Sequence, residues 1–557
     1  MPLYEELIQE IKSYNRTPKQ LAQLKRSLCV KHKIEKPPTN FDILLHAQQK
    51  DLPILKKKLL LKPVRTASGV TPVAIMTAPF ACPHGKCTFC PGGPNSYYGD
   101  MPQSYTGHEP TTMRAIRNKY DSYLQVFNRL EQYVALGHNC DKIELIVMGG
   151  TFPALEQTYQ DEFIWGALKA MNDFSELFFK ETEIDFEKFK DFFELPGEIG
   201  SKERTENIHK KALDLKNKTT LQQEQERNET SKIRCIALCV ETKPDWGFLE
   251  HGNKMLGQGC TRVEVGIQSA YDDVLKHVHR GHDSNDSKKS FQILKDLGFK
   301  ISAHYMPGLP LTDEQRDLTG FSELFKNPDY RPDMLKLYPC MVAPGTALYY
   351  EWKAGKFIPL TADQAAQLIV KMKQFIPRYC RVQRILRDVP TKMWASGVEF
   401  TNLRQYIHQK YKPKCECIRC REPMSRTVDQ KNAKLNVQEY EASGGKEFFI
   451  SIDNTKNDII LGFCRLRFPS QLLREEITKD SALLRELHVY GTATALGEEG
   501  AIQHKGYGKM LMKKAEEIAK ENSKNKMIVI SGIGAREYYK NLGYAREGPY
   551  MVKAIGH

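Results

Sequence analysis

Apolar residues recur at helical spacing over residues 5–14 and 18–33. In the second stretch Leu21, Leu24 and Leu28 share one stripe, with Lys25, Arg26, Lys31 and Lys33 off it. Pro37-Pro38 breaks the pattern, and Asn40 is placed to N-cap a third helix over 42–48. Lys56-Lys57-Lys58 then leads into an extended stretch, so the first sixty residues read as a small basic helical module. From residue 70 the pattern alternates. Strand-like runs at 73–77, 142–148, 233–240, 262–267, 300–305 and 334–338 are separated by helical stretches such as 111–136 and 287–297. Such alternation predicts a parallel sheet. Residues 174–230 are long and charged, with Phe186, Phe189, Phe192 and Phe193 at helical spacing. They read as a surface helical insertion or as an added contact with RNA or another subunit. From about 435 a separate α/β unit begins, with strands expected at 435–440, 447–453, 459–467 and 483–489, a turn at Gly444-Gly445 and a helix over 509–520.

Composition narrows the class. A chain of 557 residues with 41% apolar and 27% charged residues holds several ordinary globular domains. No apolar run reaches the length of a membrane span, and Met-Pro-Leu-Tyr-Glu-Glu-Leu lacks the basic-then-apolar order of a signal peptide. The expectation is a cytoplasmic protein with no membrane partner. Fourteen cysteines are too few and scattered for a disulfide scaffold, and six of them form two tight groups that suggest metal binding in a reducing compartment. The net charge is +14, and residues 1–65 carry fourteen Lys/Arg against six Asp/Glu. That asymmetry points to a polyanion; a solvated basic face with no partner is the alternative.

The first cysteine group follows the first predicted strand. Cys82, Cys87 and Cys90 stand as C-x4-C-x2-C in a loop that Pro and Gly keep irregular. Three thiolates so close can hold three irons of a 4Fe–4S cube and leave the fourth open to a ligand. A zinc knuckle would need a fourth ligand, and His84 sits too near Cys82 to serve without strain. In parallel β/α barrels the chemistry lies at the carboxyl ends of the strands, and the unusual motifs fall there. Gly149-Gly150-Thr151 lets backbone approach the amino-acid end of a cofactor. Glu241, Gln268-Ser269, the Met306-Pro-Gly-Leu-Pro310 turn and Lys336 end the later strands, the amide and hydroxyl suiting ribose.

Cys82, Cys87 and Cys90 followed by this barrel pattern resemble the radical S-adenosylmethionine enzymes. The longer strings Lys62-Pro-Val-Arg-Thr-Ala-Ser-Gly69, Cys90-Pro-Gly-Gly-Pro94, Ser104-Tyr-Thr-Gly107 with Glu109-Pro110, Met148-Gly-Gly-Thr-Phe152 and Gly266-Ile-Gln-Ser269 resemble a narrower family. This is the catalytic third subunit of the Elongator complex with its archaeal single-chain relatives. The general spacing is C-x3-C-x2-C; the extra residue between Cys82 and Cys87 matches this subfamily.

Cys415, Cys417 and Cys420 form C-x-C-x2-C in a short basic loop, either a structural zinc site or a second iron–sulfur cluster. The resemblance implies zinc, and His408 and Cys380 are candidates for a fourth ligand. Downstream, Gln503-His504-Lys505-Gly506-Tyr507-Gly508 opens a helix, where bared N–H groups and the helix dipole suit a pyrophosphate. Between Arg485-Glu486-Leu487-His488-Val489-Tyr490 and Ser531-Gly-Ile-Gly534 with Tyr538-Tyr539, that turn resembles the acetyl-CoA site of the GNAT acetyltransferases. Tyr538 or Tyr539 then protonates the departing CoA thiolate or packs a helix, and Glu486 is either an acid–base group for thioester hydrolysis or the end of a strand.

The fold class expected is thus α/β multidomain. It comprises a basic helical tRNA-binding region (1–61), a partial parallel β/α TIM-like radical domain (62–360, with the insertion at about 174–230), a linker with the zinc motif (361–430) and a GNAT-type α/β domain (431–557). The resemblance implies a tRNA carboxymethyluridine synthase using a 4Fe–4S cluster, S-adenosylmethionine, acetyl-CoA and zinc. Its substrate would be the wobble uridine of the anticodon loop, with an electron donor and with or without other subunits. Lys25, Arg26, Lys31, Lys33 and Lys56 to Lys58 would meet phosphates. The alternative is a protein lysine acetyltransferase in which the iron–sulfur domain is a scaffold.

Overall fold

The computed structural model describes residues 2–60, 69–181, 183–198, 200–424, 426, 430–491 and 506–556. Its centre is one sheet of seven parallel strands, β1 Thr71–Met76, β2 Lys142–Met148, β3 Arg234–Thr242, β4 Arg262–Gln268, β5 Lys300–Tyr305, β6 Met334–Leu337 and β7 Arg381–Ile385, adjacent in chain order. The sheet curls into a half-barrel. Six strands were expected; β7 escapes because three of its five residues, Arg381, Gln383 and Arg384, are polar and break the period-two pattern. Gln383 accepts a hydrogen bond from Ser302 Oγ on β5 (2.7 Å). Polarity there marks the lumen of an open barrel.

The helical stretch expected at 111–136 is two helices, Pro110–Arg117 and Ser122–Ala135. Lys119 and Tyr120 take left-handed φ values of 53° and 56°, and Asp121 Oδ1 caps the second helix by accepting from Leu124 N–H.

Helices Leu3–Ser13, Pro18–Lys31, Asn40–Leu45 and Leu52–Leu59 make the amino-terminal module. Thr39, not Asn40, caps the third, through a capping box with Asp42. Asn40 instead accepts from the buried Lys25 Nζ at 2.6 Å. Lys58 Nζ donates to the carbonyls of Ile11, Lys12 and Tyr14. These two lysines serve the module's own fold, contrary to their expected phosphate role. Lys31 meets Glu6, whereas Arg26, Lys33 and Lys57 are exposed.

The segment 174–230 is more deeply packed than a surface insertion. Phe186, Phe189 and Phe193 are buried, with Phe189 and Phe193 packed in tilted and edge-on contacts around Phe174 and Phe178 of helix Gln157–Phe178. Helices Lys202–Asp214 and Leu221–Thr230 follow.

The carboxy-terminal unit is a second seven-stranded sheet, β8 Ala433–Ala442, β9 Gly445–Asn454, β10 Ile459–Phe468, β11 Ser481–Val489, β12 Lys526–Val529, β13 Ala545–Glu547 and β14 Tyr550–Ala554, in the order 8-9-10-11-12-14-13. Ser443 and Gly444, at φ 49° and 75°, make the two-residue hairpin between β8 and β9. β11 and β12 are parallel neighbours only from Ser481↔Lys526 to Leu484↔Val529. Beyond Leu484 they part, and helix Tyr507–Glu521 begins near that opening.

Candidate active sites

One cavity lies at the carboxyl ends of the half-barrel strands. Cys82, Cys87, Cys90, Gly150, Thr151, Glu241, Gln268 and Lys336 line it together, with Gln103, Tyr105, Lys243, Arg280 and His304. Gly149 and Gly150 have φ of 129° and 105°; a Cβ on Gly149 would stand 2.0 Å from Thr77 Oγ1. No other residue fits at this close approach. Gly149 N–H donates to Glu241 Oε2 at 3.2 Å, and the Tyr105 hydroxyl reaches both Glu241 oxygens at 3.0 Å. Ser269 Oγ accepts from Tyr271 N–H at 3.2 Å, a local turn.

Positive groups surround the thiols. Arg280 Nη1 lies 3.6 Å from Cys87 Sγ while its Nη2 donates to the carbonyl of Gly266 at 2.8 Å, and His84 Nε2 is 3.3 Å from the same sulfur. Burial, with Lys243 and Arg280 nearby, lowers the His84 pKa to about 4, so the ring is neutral near pH 7. Burial and the neighbouring Cys90 raise Cys82 to about 11 against the opposing pull of Arg280; bound metal would supply the further positive charge that a thiolate needs there. Buried polar atoms here also lack protein partners among the described residues, notably Gln268 Oε1, His84 Nδ1 and Arg280 Nε. Gln268 sits at φ 66°, a left-handed conformation costly for a non-glycine residue. Strain, orphaned donors and acceptors, and three convergent thiols fit a cluster with a polar cofactor. Arg280 and Gln103 were not legible as site residues in the sequence, because no motif marks a residue that reaches a strand end from a distant loop, and Tyr105, although part of the Ser104–Gly107 string, was given no role.

The second triad is of another kind. The sulfurs of Cys415, Cys417 and Cys420 all lie within 4.8 Å of one another, tight enough for a single ion. The first triad does not belong to that group; ligands on separate irons of a cube stand further apart than ligands on one ion. Of the candidate fourth ligands, His408 Nε2 is 3.4 Å from Lys373 Nζ, which is itself 3.7 Å from Cys420 Sγ, and Cys380 is fully buried beside Cys417.

In the second sheet, Gly506 is the left-handed N-cap of helix Tyr507–Glu521 at φ 82°. Gln503, His504 and Lys505 lie outside the described residues, as do residues 62–68 of the Lys62–Gly69 string. The Tyr507 side chain is buried in the core, so its contribution to a ligand is the backbone N–H at the helix start. A Cβ on Gly508 would come within 2.8 Å of the Tyr538 hydroxyl, which places that hydroxyl over the first turn of the helix. Tyr538 is 39% exposed and Tyr539 7%. Tyr538 therefore faces the cleft and Tyr539 packs in the core, its pKa pushed up by burial. Leu487 and Val489 pack partly against the same core, and His488 packs beside the rings of Phe463 and Tyr490, which also touch each other.

Glu486 is not free for acid–base work. Arg465 Nε donates to it at 2.8 Å, Lys300 Nζ lies 3.4 Å away, and although burial opposes ionisation, these cations lower its pKa to about 2. It belongs to an ion-pair layer joining the second sheet to the amino end of the half-barrel. In that layer Arg485 pairs with Asp333 (2.7 Å) and Glu447 (3.0 Å), and Arg467 with Asp296 (2.6 Å) and Glu447 (2.9 Å).

Four family models match successive parts of the chain: the ELP3 N-terminal domain over residues 2–67, the Radical SAM superfamily over 78–320, the Radical_SAM C-terminal domain over 332–412 and the acetyltransferase (GNAT) family over 415–544. A tRNA uridine(34) acetyltransferase of Methanocaldococcus infernus is 44% identical over 531 residues, 93% of this chain and 92% of that protein. The human Elongator complex protein 3 is 38% identical over 551 residues, covering 96% and 93%. Among solved structures, the archaeal M. infernus Elp3 with an N-terminal deletion (1–46) superposes with a TM-score of 0.71 at 40% identity, covering 88% of this chain and all of that one. The models imply a 4Fe–4S cluster and S-adenosylmethionine in the half-barrel cavity and acetyl-CoA at the second sheet, where the residues present fit them. On this evidence the chain belongs to the family of Elongator complex protein 3 and the archaeal tRNA uridine(34) acetyltransferases.

Proposed function

We propose that the protein replaces the C5 hydrogen of the wobble uridine of tRNA with the methyl carbon of acetyl-CoA. The methyl gives up one hydrogen atom to the 5′-deoxyadenosyl radical, C5 loses its hydrogen as a proton and one electron passes back to the cluster, so that thioester hydrolysis leaves 5-carboxymethyluridine and free CoA. The observation that carries the reading is that one chain joins a cysteine-lined cavity in a half-barrel to an acetyl-CoA fold packed directly on that half-barrel. Relatives at 42–44% identity bear the name tRNA uridine(34) acetyltransferase, which supports the same substrate here. A lysine-peptide acetyltransferase would need an open peptide groove beside β11. Among the described residues, Arg485 and Glu486 of that strand pack instead against Asp333 and Lys300 of the half-barrel.

Cys82, Cys87 and Cys90 would hold the cluster. With S-adenosylmethionine bound, it supplies a 5′-deoxyadenosyl radical strong enough to take a hydrogen from an acetyl methyl group. The backbone at Gly149 and Gly150, the carboxamide of Gln268 and the guanidinium of Arg280 would orient the cofactor. A base drawn from the single-stranded anticodon loop would enter the same cavity, beside Glu241, Tyr105 and the Glu264-paired Lys336. The helix start at Tyr507 and Gly508 would bind the CoA pyrophosphate, and Tyr538 would return a proton to the CoA sulfur. Zinc on Cys415, Cys417 and Cys420 would be structural. No helix of the described residues is long and apolar enough to cross a membrane; a cytoplasmic setting suits a tRNA substrate and reduced cysteines.

Anaerobic incubation of iron-reconstituted protein with dithionite, S-adenosylmethionine, carbon-labelled acetyl-CoA and tRNA, followed by nucleoside mass spectrometry, tests the reading. The expected product is labelled carboxymethyluridine that disappears without S-adenosylmethionine. Acetylation of a lysine peptide with no RNA product would sink it.

A further inference from the structure

Segment 174–230 touches both flanks of the half-barrel. Gln49 of the amino-terminal module donates to the carbonyl of Ile184 at 2.9 Å and accepts from Phe186 N–H at 3.1 Å. At the segment's far end, Glu229 lies in helix Leu221–Thr230. It is buried and receives Arg536 Nη1 at 2.8 Å and Lys540 Nζ at 2.9 Å, with Arg546 Nη1 at 3.9 Å. Arg536 and Lys540 are the first and last residues of the five-residue helix that carries Tyr538. Arg536 is only 3% exposed, and burial lowers its pKa. Its charge is tolerated because Glu229 stands opposite. The turn leading into this helix is pressed against β3: a Cβ on Gly532 would stand 1.9 Å from the carbonyl oxygen of Ile236. A five-residue helix has little stability of its own, so its orientation is set from outside, at Glu229 and at β3.

We propose that Glu229 is a positioning residue of the acetyl-CoA site, holding helix Arg536–Lys540 so that the Tyr538 hydroxyl stays over the first turn of helix Tyr507–Glu521. The half-barrel thereby reaches into the acetyl-transfer chemistry of the second sheet through the Glu229 carboxylate, beside the contact of β3 with Gly532. The inference rests on the assignment of acetyl-CoA to that cleft.

The test uses the full chain, reconstituted and supplied with tRNA, and measures acetyl-CoA turnover together with acetyl-CoA binding by calorimetry. Glu229→Gln keeps the shape and removes the charge. It is expected to lower kcat by roughly ten- to a hundredfold with KM and binding nearly unchanged, and Glu229→Asp to restore most of the rate. Tyr538→Phe is expected to produce a similar loss, and the double variant E229Q/Y538F no further loss, since both act through one hydroxyl. Independent, multiplying losses would overturn the proposal. So would equal losses of acetyl-CoA turnover, 5′-deoxyadenosine formation and melting temperature in both E229Q and E229D, which would make Glu229 a stability residue. If the unaltered chain bound no acetyl-CoA, this proposal and the reading beneath it would fall together; binding with E229Q kinetics unchanged would fell this one alone.

Discussion

The two ends of the half-barrel are both buried and both rich in charge, yet they are finished differently. At the carboxyl end Gln268 Oε1, His84 Nδ1 and Arg280 Nε lack protein partners among the described residues, and Gln268 holds a strained backbone. At the amino end Asp333, Asp296 and Glu447 are each met by one or more arginines of the second sheet. Buried polar groups are costly unless satisfied. Orphaned atoms occur at the amino end as well, at Arg465 Nη1, Asp141 Oδ1 and Oδ2 and Arg234 Nε, but those of Gln268, His84 and Arg280 all line one cavity with three thiols. Charge density alone does not distinguish a site from a glue line; convergence of unpartnered groups on one cavity does.

Four measurements would break or sharpen that contrast. The largest effect is expected from Cys87→Ala, which should abolish 5′-deoxyadenosine formation and leave the melting temperature unchanged. A collapse of the fold would mean that the carboxyl end is structural too. Asp333→Ala should do the opposite. It leaves Arg485 and Arg465 short of their buried counter-charge, and denaturant unfolding should show a loss of about 3–5 kcal/mol; a stable variant would show that the layer is not what joins the sheets.

Acid provides a graded version of the same test. The pKa of Glu486 is lowered from 4.5 to about 2 in the fold. Its ion pairs therefore contribute fully above about pH 4.5, and their contribution is lost as the pH falls toward 2. Melting temperature measured along that descent should drop, and a flat profile would count against the paired layer. The smallest effect concerns the amino-terminal module, where the contrast recurs. Arg26→Ala, an exposed cation, should weaken tRNA binding and lower the salt slope by roughly one. Lys25→Met, a buried cation bonded to Asn40, should change stability and leave that slope alone.

Much of the architecture was readable from local pattern. Strands β2 and β5 fall where alternation and apolar runs place them, and the hairpin turn at Gly444 follows from its glycine. β7 was hidden because Arg381, Gln383 and Arg384 face a polar lumen, so a buried strand carries the residues of a loop. The split at Lys119 and Tyr120 was hidden because two left-handed non-glycine residues leave no compositional mark. Segment 174–230 looked like a solvated insertion, since charge dominates it, yet Phe186, Phe189 and Phe193 fix it in the core.

The sequence by itself determined which chemistries the protein can hold: thiol spacing, glycine pairs at strand ends and a glycine turn before a helix are local, and backbone geometry follows from them directly. Only the tertiary structure decided which groups are available to act. Glu486 and Lys25 become locked ion or hydrogen-bond partners, Tyr539 becomes core while Tyr538 faces the cleft, and Arg280 arrives beside Cys87 from 193 positions away. Availability depends on which partners the fold brings within about 3 Å of a polar atom, and such distances between chain-remote residues are set by packing rather than by neighbours in sequence.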